Sequence, residues 1–279
     1  MPSVNLATKY SSKLDQLFTA GSYTDRYINK KYDFTGAKTV EVYTVTTVQP
    51  SNYDRTNTGD RFGGNNELQD VITAYTIGND KSFKIAIDEG NYEQGALAKK
   101  AGEVMRAEME EQVIPMIDAN RLLKAAIGAA AVSQYYSPTA NDAYGDILKM
   151  SAALDEAKAP VAGRVLWVTP AEYNLIKKQI TTTVLGSGYN DKLLGRGFVG
   201  ELDGVPVVKV PTSYFPSNTN AIMVHRDALL GVDQIKMTRI ISDSELVDGK
   251  VLVGRFIFDS FILNGKKKAV AAIGTGSVS

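Results

Sequence analysis

The longest helical pattern in the chain covers residues 91–130 and reads NYEQGALAKKAGEVMRAEMEEQVIPMIDANRLLKAAIGAA. It is rich in Ala, Glu, Lys, Met and Leu, which have high helix propensity. Apolar residues recur at spacings of three and four. This spacing predicts one buried stripe, formed by Ala98, Ala101, Met105, Met109, Val113, Met116, Leu123 and Ile127. A helix of this length would be about 60 Å long, which is more than a compact domain of this size needs.

This helix has one feature that affects its geometry and one that could affect its chemistry. Pro115 removes one backbone donor and predicts a kink about two-thirds of the way along. The carboxylates of Glu108, Glu110 and Glu111 could do acid/base work only if burial separated their pKa values. We expect them instead on a solvated face or paired with cations.

The residues before this helix predict an arm and a projecting loop. Residues 4–20 have the apolar spacing of an amphipathic helix. The aromatic-rich segment from Tyr23 to Phe34 predicts an extended arm. Strands are predicted over residues 39–48, 71–77 and 82–87, with a turn at Gly78-Asn79-Asp80. Residues 49–67 form a long polar loop, and loops of this length are usually functional or flexible.

The residues after the helix predict a compact α/β unit over residues 141–224, followed by strands. Residues 165–168 are an apolar run typical of a buried strand. Thr169-Pro170-Ala171-Glu172 then predicts a helix start with a capping box. Hairpin turns are predicted at Asp203-Gly204 and at Asp248-Gly249. The closing strands are predicted over residues 234–241, 251–258 and 268–273.

Composition excludes several classes of site. The chain has 279 residues, with 44% hydrophobic and 22% charged, as in ordinary globular proteins. It has 31 basic and 31 acidic residues, and a protein that holds nucleic acid tightly usually has a basic excess. There is no cysteine, which excludes disulfides and thiolate ligands and fits a reducing compartment. The apolar run over residues 122–132 is too short for a membrane span and contains Lys124.

Two further motifs have a chemical and a structural interpretation. Gly195 to Gly200 spells G-x-G-x-x-G, but a dinucleotide site requires a strand before it and a helix after it. Here a Thr- and Gly-rich loop over residues 181–200 contains it and a hairpin signal follows, so we favour a flexible loop. His225 is the single histidine, and we expect it to make local hydrogen bonds at a strand end rather than bind metal.

Three stretches carry a family resemblance. Residues 165–173, VLWVTPAEY, are similar to the strand and helix of the axial domain of a viral shell protein. Residues 202–208, LDGVPVV, are similar to its G-x-P-V hairpin, and residues 259–270, DSFILNGKKKAV, resemble its closing segment. With the order of the elements, nearly the whole chain resembles the major capsid protein of tailed bacteriophages, which has the Hong Kong 97-like fold.

The resemblance implies an α+β fold in five parts. These are an N-terminal arm (1–36), an extended two-stranded loop (37–90), a peripheral domain with a long spine helix (91–136), an α/β axial domain (137–233) and closing strands of the peripheral domain (234–279). It implies subunit contacts through the arm and the extended loop. The expected interface residues are Tyr23, Tyr27, Tyr32, Tyr53, Arg55, Arg61 and Phe62.

The resemblance also implies a function without catalysis, cofactor or metal. The chain would be made in the cytoplasm of a host bacterium and assemble with itself, as hexamers and pentamers, into an icosahedral head in the virion. The expected partners are a portal and a separate scaffolding protein, with double-stranded DNA enclosed through weak non-specific contacts and no membrane. Two alternatives remain: an encapsulin-like nanocompartment shell, and an enzyme that binds a nucleotide at Gly195 to Gly200.

Overall fold

The structure is a computed structural model of the chain. It describes residues 21–32, 38–45, 47–63, 70–88, 101–184, 200–241, 249–276 and 278. The helix predicted over residues 4–20 lies outside these ranges, as do the first part of the long helical pattern and residues 195–199.

The long helix runs without a break from residue 101 to residue 131. It consists of α1 (Ala101–Glu108), a π-helical turn (Met109–Val113) and α2 (Ile114–Ala131). We call these residues the spine helix, and they span about 45 Å. Pro115 cannot donate to the carbonyl four residues earlier and its ring would crowd that carbonyl. The irregularity predicted at Pro115 therefore takes the form of a π-helical turn immediately before it.

The predicted buried stripe is wrong in the second half of this helix, where Met116 is 39% and Ile127 is 44% exposed. The face that is buried there consists of Val113, Asp118, Arg121, Leu122, Ala125, Ala126 and Ala129. The π-helical turn holds more residues than an α-helical turn, so it rotates the face that follows it. Two of the buried residues are also charged, and a search for apolar spacing does not detect them.

The strands form three sheets in the described part of the chain. The strands are β1 (Thr39–Val45), β2 (Asp70–Thr76), β3 (Asn79–Asp88), β4 (Tyr135–Tyr136), β5 (Arg164–Val168), β6 (Glu201–Leu202), β7 (Val205–Lys209), β8 (Thr219–His225), β9 (Leu229–Ile241), β10 (Gly249–Ile262) and β11 (Val270–Gly274). The strand orders are β1-β2, β3-β10-β9 and β4-β11-β8-β5-β7-β6.

The first three strands are divided between two sheets. β1 and β2 pair antiparallel, from Thr39 opposite Thr76 to Val45 opposite Asp70. β3 pairs instead with β10. The predicted turn at Gly78-Asn79-Asp80 is therefore wrong, because β3 already begins at Asn79. The backbone N–H of Gly78 donates to Asp259 (2.9 Å), and this contact fixes the point where the chain passes from one sheet to the other.

The antiparallel pairing of the closing strands β9 and β10 is confirmed, but the two-residue turn between them is wrong. Gly249 is the first residue of β10 and lies opposite Asp88. The first ladder pair of β9 with β10 is Ile241 with Val251, which leaves residues 242–250 between them. A two-residue turn at Asp248-Gly249 would require a different register. The last strand, β11, joins the six-stranded sheet between β4 and β8 instead of the sheet of β9 and β10.

The six-stranded sheet is covered on both faces. On one face, α3 (Ala143–Glu156) and α4 (Pro170–Val184) pack against the buried side chains of Leu166 and Val168. On the other face, Leu122 and the alanines of α2 pack against Val165 and Trp167. All five residues of β5 are buried, as expected for a strand covered on both faces.

Local turn and cap chemistry is partly as predicted. The Thr169 hydroxyl accepts the Glu172 N–H (3.4 Å), which confirms the N-cap. The capping box is wrong, because the Thr169 N–H donates to the Asn220 carbonyl (2.9 Å) and the Glu172 carboxylate accepts from the Asn220 side chain (3.3 Å). The loop predicted from residue 181 begins later, since α4 continues to Val184. Asp203 and Gly204 both have positive φ and join β6 to β7, which confirms the hairpin.

Candidate interaction surfaces

His225 makes local hydrogen bonds, as predicted. Its Nε2 lies 3.1 Å from the Ala162 carbonyl, and its Nδ1 accepts the Asp227 N–H at 3.2 Å. Both ring nitrogens are therefore engaged by backbone. Among the described residues, no group of three or more His, Asp or Glu side chains could hold a metal ion.

The glycine motif lacks the setting of a nucleotide site at its described end. Gly195 to Val199 lie outside the described residues. The Gly200 carbonyl accepts the Val207 N–H (2.9 Å), and β6 begins at the next residue. A strand instead of a helix therefore follows the motif, so no helix N-terminus is placed there to bind a pyrophosphate.

The β1–β2 ribbon is held to the body of the molecule by its inner face. Val42 and Tyr75 are buried against a cluster that includes Leu230, Val232 and Leu263. The Tyr75 hydroxyl also accepts the Asn264 N–H at 2.8 Å. Burial of this face fixes the ribbon in one orientation, so its opposite face points away from the body.

The outer face of the ribbon, which also bears the polar residues Thr39, Glu41 and Thr76, carries an exposed apolar patch. We define it by Tyr43 and Ile72, which lie directly opposite each other in the ladder and are 64% and 53% exposed. Such a directly opposed pair forms one continuous patch. A contiguous exposed apolar patch typically marks a contact site for another macromolecule.

The loop over residues 47–63 is ordered by its own hydrogen bonds. The Asp54 N–H donates to the Arg61 carbonyl (3.0 Å), and the Ser51 hydroxyl donates to the Phe62 carbonyl (2.9 Å). Hydrogen bonds from Thr56 lower the pKa of the Asp54 carboxyl. The loop presents an aromatic pair, because Phe62 is 81% exposed and meets Tyr53 edge-on at 5.1 Å.

The interface residues predicted from the sequence fall into two groups. Tyr23 and Tyr27 pack against the core of their own subunit: Tyr23 meets Tyr214 edge-on at 5.6 Å and Tyr27 meets Trp167 at 6.4 Å. The other group is exposed on the surface and consists of Tyr32, Tyr53, Arg55, Arg61 and Phe62. An interface role stays a prediction for both groups, and the second group is available for it without rearrangement.

The N-terminal segment is anchored to the spine helix by a buried carboxylate that the sequence reasoning missed. Asp118 is fully buried. It accepts hydrogen bonds from the Ser22 hydroxyl (2.7 Å), the Tyr23 N–H (2.7 Å) and the Thr24 hydroxyl (2.5 Å). Burial of a carboxylate is costly unless it is hydrogen-bonded, and here the segment from Ser22 to Thr24 supplies the bonds.

Arg121 extends this anchor to a closing strand. Its guanidinium is 2% exposed and makes two 2.7 Å hydrogen bonds to the carboxylate of Asp233 in β9. It also contacts Asp118 (3.4 Å) and Asp25 (3.3 Å). Burial raises the pKa of Asp25, but Lys30 and Arg121 outweigh this effect and leave the pKa below its ordinary value. The signal in the sequence is that Asp118 and Arg121 lie three residues apart, a spacing at which two oppositely charged side chains on one helix can pair.

Sequence and structure comparisons agree on one type of protein. The family model "Phage capsid protein" matches residues 85–273. No curated protein sequence is detectably similar to the chain.

Solved structures with a similar fold come from phages. A chain from Mycobacterium phage Che8 is 18% identical, with a TM-score of 0.73, and the match covers 99% of this chain and 100% of that one. A chain of the mature capsid of bacteriophage PhiM1 is 12% identical, with a TM-score of 0.71 and coverage of 96% and 91%. A capsid chain of Cyanophage P-SCSP1u is 15% identical, with a TM-score of 0.70 and coverage of 99% and 94%.

Proposed function

Because the chain belongs to the phage capsid protein family and has the Hong Kong 97-like fold, it is a major capsid protein, and we propose how its surfaces build the shell. In this proposal copies of the chain, arranged as hexamers and pentamers, form an icosahedral head around double-stranded DNA. The five-part division of the chain is kept as part of the proposal, except that β3 and β11 each pair within another part's sheet.

The observation that carries this proposal is the exposed outer face of the ribbon. Full burial of a large apolar side chain contributes about 1.5–3 kcal/mol. Tyr43 and Ile72 leave most of this contribution unused within the subunit. A neighbouring copy that covers them would gain it at every repeat of the shell, and closed symmetry multiplies such modest contacts into a stable container.

The loop and the arm add further contacts in this proposal. The aromatic pair Tyr53 and Phe62 is presented at the loop surface beside the exposed cations Arg55 and Arg61, a combination enriched at protein interfaces. Tyr32 follows the anchored segment and is 37% exposed. These side chains would lie against the neighbouring subunit, while Tyr23 and Tyr27 would support the arm from inside their own subunit.

The remaining partners are proposed from the same role. A head that contains DNA requires a portal, and a separate scaffolding protein would guide its curvature. The protein would be made in the host bacterial cytoplasm, act in the virion and catalyse no reaction. Within the described residues, no helix is both long and apolar enough to span a membrane.

An encapsulin-like shell is the alternative that shares the fold, and the comparisons do not favour it. The contents of purified particles distinguish the two. Particles isolated from infected cells would contain DNA in the proposed role and a protein cargo in the alternative one.

The test compares two double variants of the ribbon by electron microscopy and analytical ultracentrifugation. Tyr43→Thr/Ile72→Thr removes the apolar patch with a residue that suits a strand, and should abolish particles without changing the thermal unfolding of the subunit. Tyr43→Phe/Ile72→Val keeps the apolar area and should still form particles. A polar variant that assembles normally would contradict the proposal, as would a parent protein that stays monomeric at high concentration with its scaffold supplied.

A further inference from the structure

A cleft of about 710 Å³ lies where three elements meet outside the ribbon and the arm. Its walls are the C-terminal end of α3, the turn between β8 and β9, and the 3-10 turn Asn264–Lys266 that follows β10. We call it the lysine cleft, after the four lysines that line it: Lys158, Lys266, Lys267 and Lys268.

The charge in this cleft is unbalanced. Asp227 is the one acidic residue among the described residues that line it. Its carboxylate is paired with Lys31 at 3.2 Å. Burial raises the pKa of this carboxyl, but Lys31 and the charge of Lys266 outweigh this effect and lower it. One carboxylate thus faces four lysines of the cleft. Among the described residues, no carboxylate lies within 4.0 Å of the amines of Lys158, Lys267 or Lys268. A chain with no net charge therefore concentrates positive charge at one concave site.

The backbone holds these lysines in place. The Lys266 N–H donates to the Leu263 carbonyl and the Ala269 N–H donates to the Lys266 carbonyl, both at 2.9 Å. Leu263 and Ala269 are buried on either side of the three lysines. Lys158 has a positive φ and its N–H donates to the Asp155 carbonyl at 2.8 Å. The backbone of these lysines is thus held in place around the cleft, while their long side chains are exposed.

The chemistry of the cleft favours contacts to phosphate groups over specific contacts to base edges. Lysine is a compact, strongly hydrated point charge, which suits contacts to a phosphate backbone without fixed geometry. Both ring nitrogens of His225 are used by backbone, and the Asn264 side chain donates to Thr73 at 3.2 Å. The His225 ring and one amide N–H of Asn264 are thus engaged within the subunit, and the four lysines supply the charge that faces the cleft.

We infer that the lysine cleft binds the phosphate backbone of the enclosed nucleic acid, independently of base sequence. This inference rests on the proposed function, because it takes its anionic partner from the contents of the shell. It adds the site of contact, which the low overall charge of the chain does not reveal.

The experiment measures the salt dependence of DNA binding. A labelled 20-base-pair duplex is titrated with the purified full-length protein, and anisotropy is recorded between 50 and 200 mM salt. Four phosphate contacts predict an affinity that falls by about 150-fold over this range. The variant Lys266→Gln/Lys267→Gln/Lys268→Gln retains one contact and predicts a fall of only about 3-fold. A charge-matched control, Lys38→Gln/Lys81→Gln/Lys84→Gln, should keep the parent's dependence.

The outcomes separate this inference from the proposed function, since electron microscopy scores particle formation independently. If the parent forms shells but the triple variant keeps the parent's salt dependence of DNA binding, the role of the lysine cleft is contradicted and the proposed function is not. The same holds for a parent that binds no duplex as unassembled subunits although it goes on to form shells. If polyglutamate of matched charge displaces the duplex as well as unlabelled DNA does, an acidic protein segment is the partner and the inference is overturned. Failure of the parent to form shells contradicts the proposed function instead.

Discussion

Replacing Asp118 by asparagine should release the N-terminal segment from the spine helix. One carboxylate oxygen accepts the Tyr23 N–H, and the other accepts the two hydroxyls and faces Arg121 at 3.4 Å. The amide group of asparagine must place its NH₂ at one of these positions. It then meets either the Tyr23 N–H or the Arg121 guanidinium, and both of these groups are donors that cannot accept.

The expected cost follows from these contacts. A hydrogen bond to a charged group contributes about 1.5–3 kcal/mol, and a buried donor left without an acceptor costs about 1–3 kcal/mol. The hydroxyls of Ser22 and Thr24 can rotate and accept from the amide, so they limit the loss. We therefore expect Asp118→Asn to destabilise the docked segment by about 2–3 kcal/mol. Asp118→Ala leaves Arg121 with one buried partner fewer and should cost about 3–5 kcal/mol.

The single tryptophan reports this release. Trp167 is fully buried, its indole N–H donates to the Tyr23 carbonyl at 3.3 Å, and Tyr27 packs against its ring. Undocking of residues 22–27 admits water to this edge of the indole. The emission should shift to longer wavelength, and trypsin should cleave faster after Arg26, Lys30 and Lys31.

The control makes the same chemical change elsewhere on the same helix. Glu110 pairs with Arg106 at 2.7 Å, but the Arg106 side chain is 76% exposed. Glu110→Gln should therefore cost only about 0.3–0.5 kcal/mol and leave the tryptophan emission unchanged. If Asp118→Asn costs less than about 0.5 kcal/mol, with parental emission and proteolysis, the reasoning about the anchor is refuted.

Two further predictions concern stability. Gly254 lies opposite Phe83 in the ladder, and a Cβ there would collide with the Phe83 ring, so Gly254→Ala should lower the free energy of unfolding in urea by about 1–3 kcal/mol. The control Gly102→Ala meets no atom within 4 Å and lies in α1, so it should leave this free energy unchanged or raise it by up to about 1 kcal/mol. Burial raises the pKa of Glu172 more than its hydrogen bond with Asn220 lowers it, so the carboxylate is disfavoured in the folded state at pH 7. Glu172→Gln should therefore be more stable than the parent at pH 7, and this difference should vanish below about pH 4, where the parent is protonated when unfolded. If Glu172→Gln and the parent have equal free energies of unfolding at every pH, the raised pKa of Glu172 is contradicted.

The sequence predicted elements whose structure depends on a few neighbouring residues. The N-cap at Thr169 and the hairpin at Asp203-Gly204 were correct, because side-chain capping and positive φ are local properties. The strand predicted over residues 82–87 was also correct, and its side chains alternate, since Phe83, Ile85 and Ile87 are more buried than Lys84 and Ala86. In each case the residues specify the geometry without knowledge of a distant partner.

The errors occurred where a distant partner determines the outcome. Gly78 is not in a hairpin turn because Asp259, far along the chain, holds its N–H. Glu172 does not complete a capping box because its carboxylate accepts from the side chain of Asn220. The Thr169 N–H, which the box would have used, donates to the Asn220 carbonyl. Of the predicted interface residues, Tyr23 and Tyr27 carry the same aromatic signal as Tyr53 and Phe62. Contacts with the distant Tyr214 and Trp167 turn the rings of the first two toward their own subunit, and an interface role for them stays a prediction.

The anchor at Asp118 and Arg121 shows why a buried charge is the hardest of these features to predict. Apolar periodicity assigns charged residues to the surface, yet here they occupy the face that holds the arm. A buried ion pair adds little net stability compared with apolar packing, but it penalises any docking that leaves one partner uncompensated. The anchor should therefore fix the register of the arm more than it stabilises the fold. The Asp118→Asn measurement tests this directly, since release of the segment before global unfolding is the expected result and a single cooperative loss of the whole fold would contradict it.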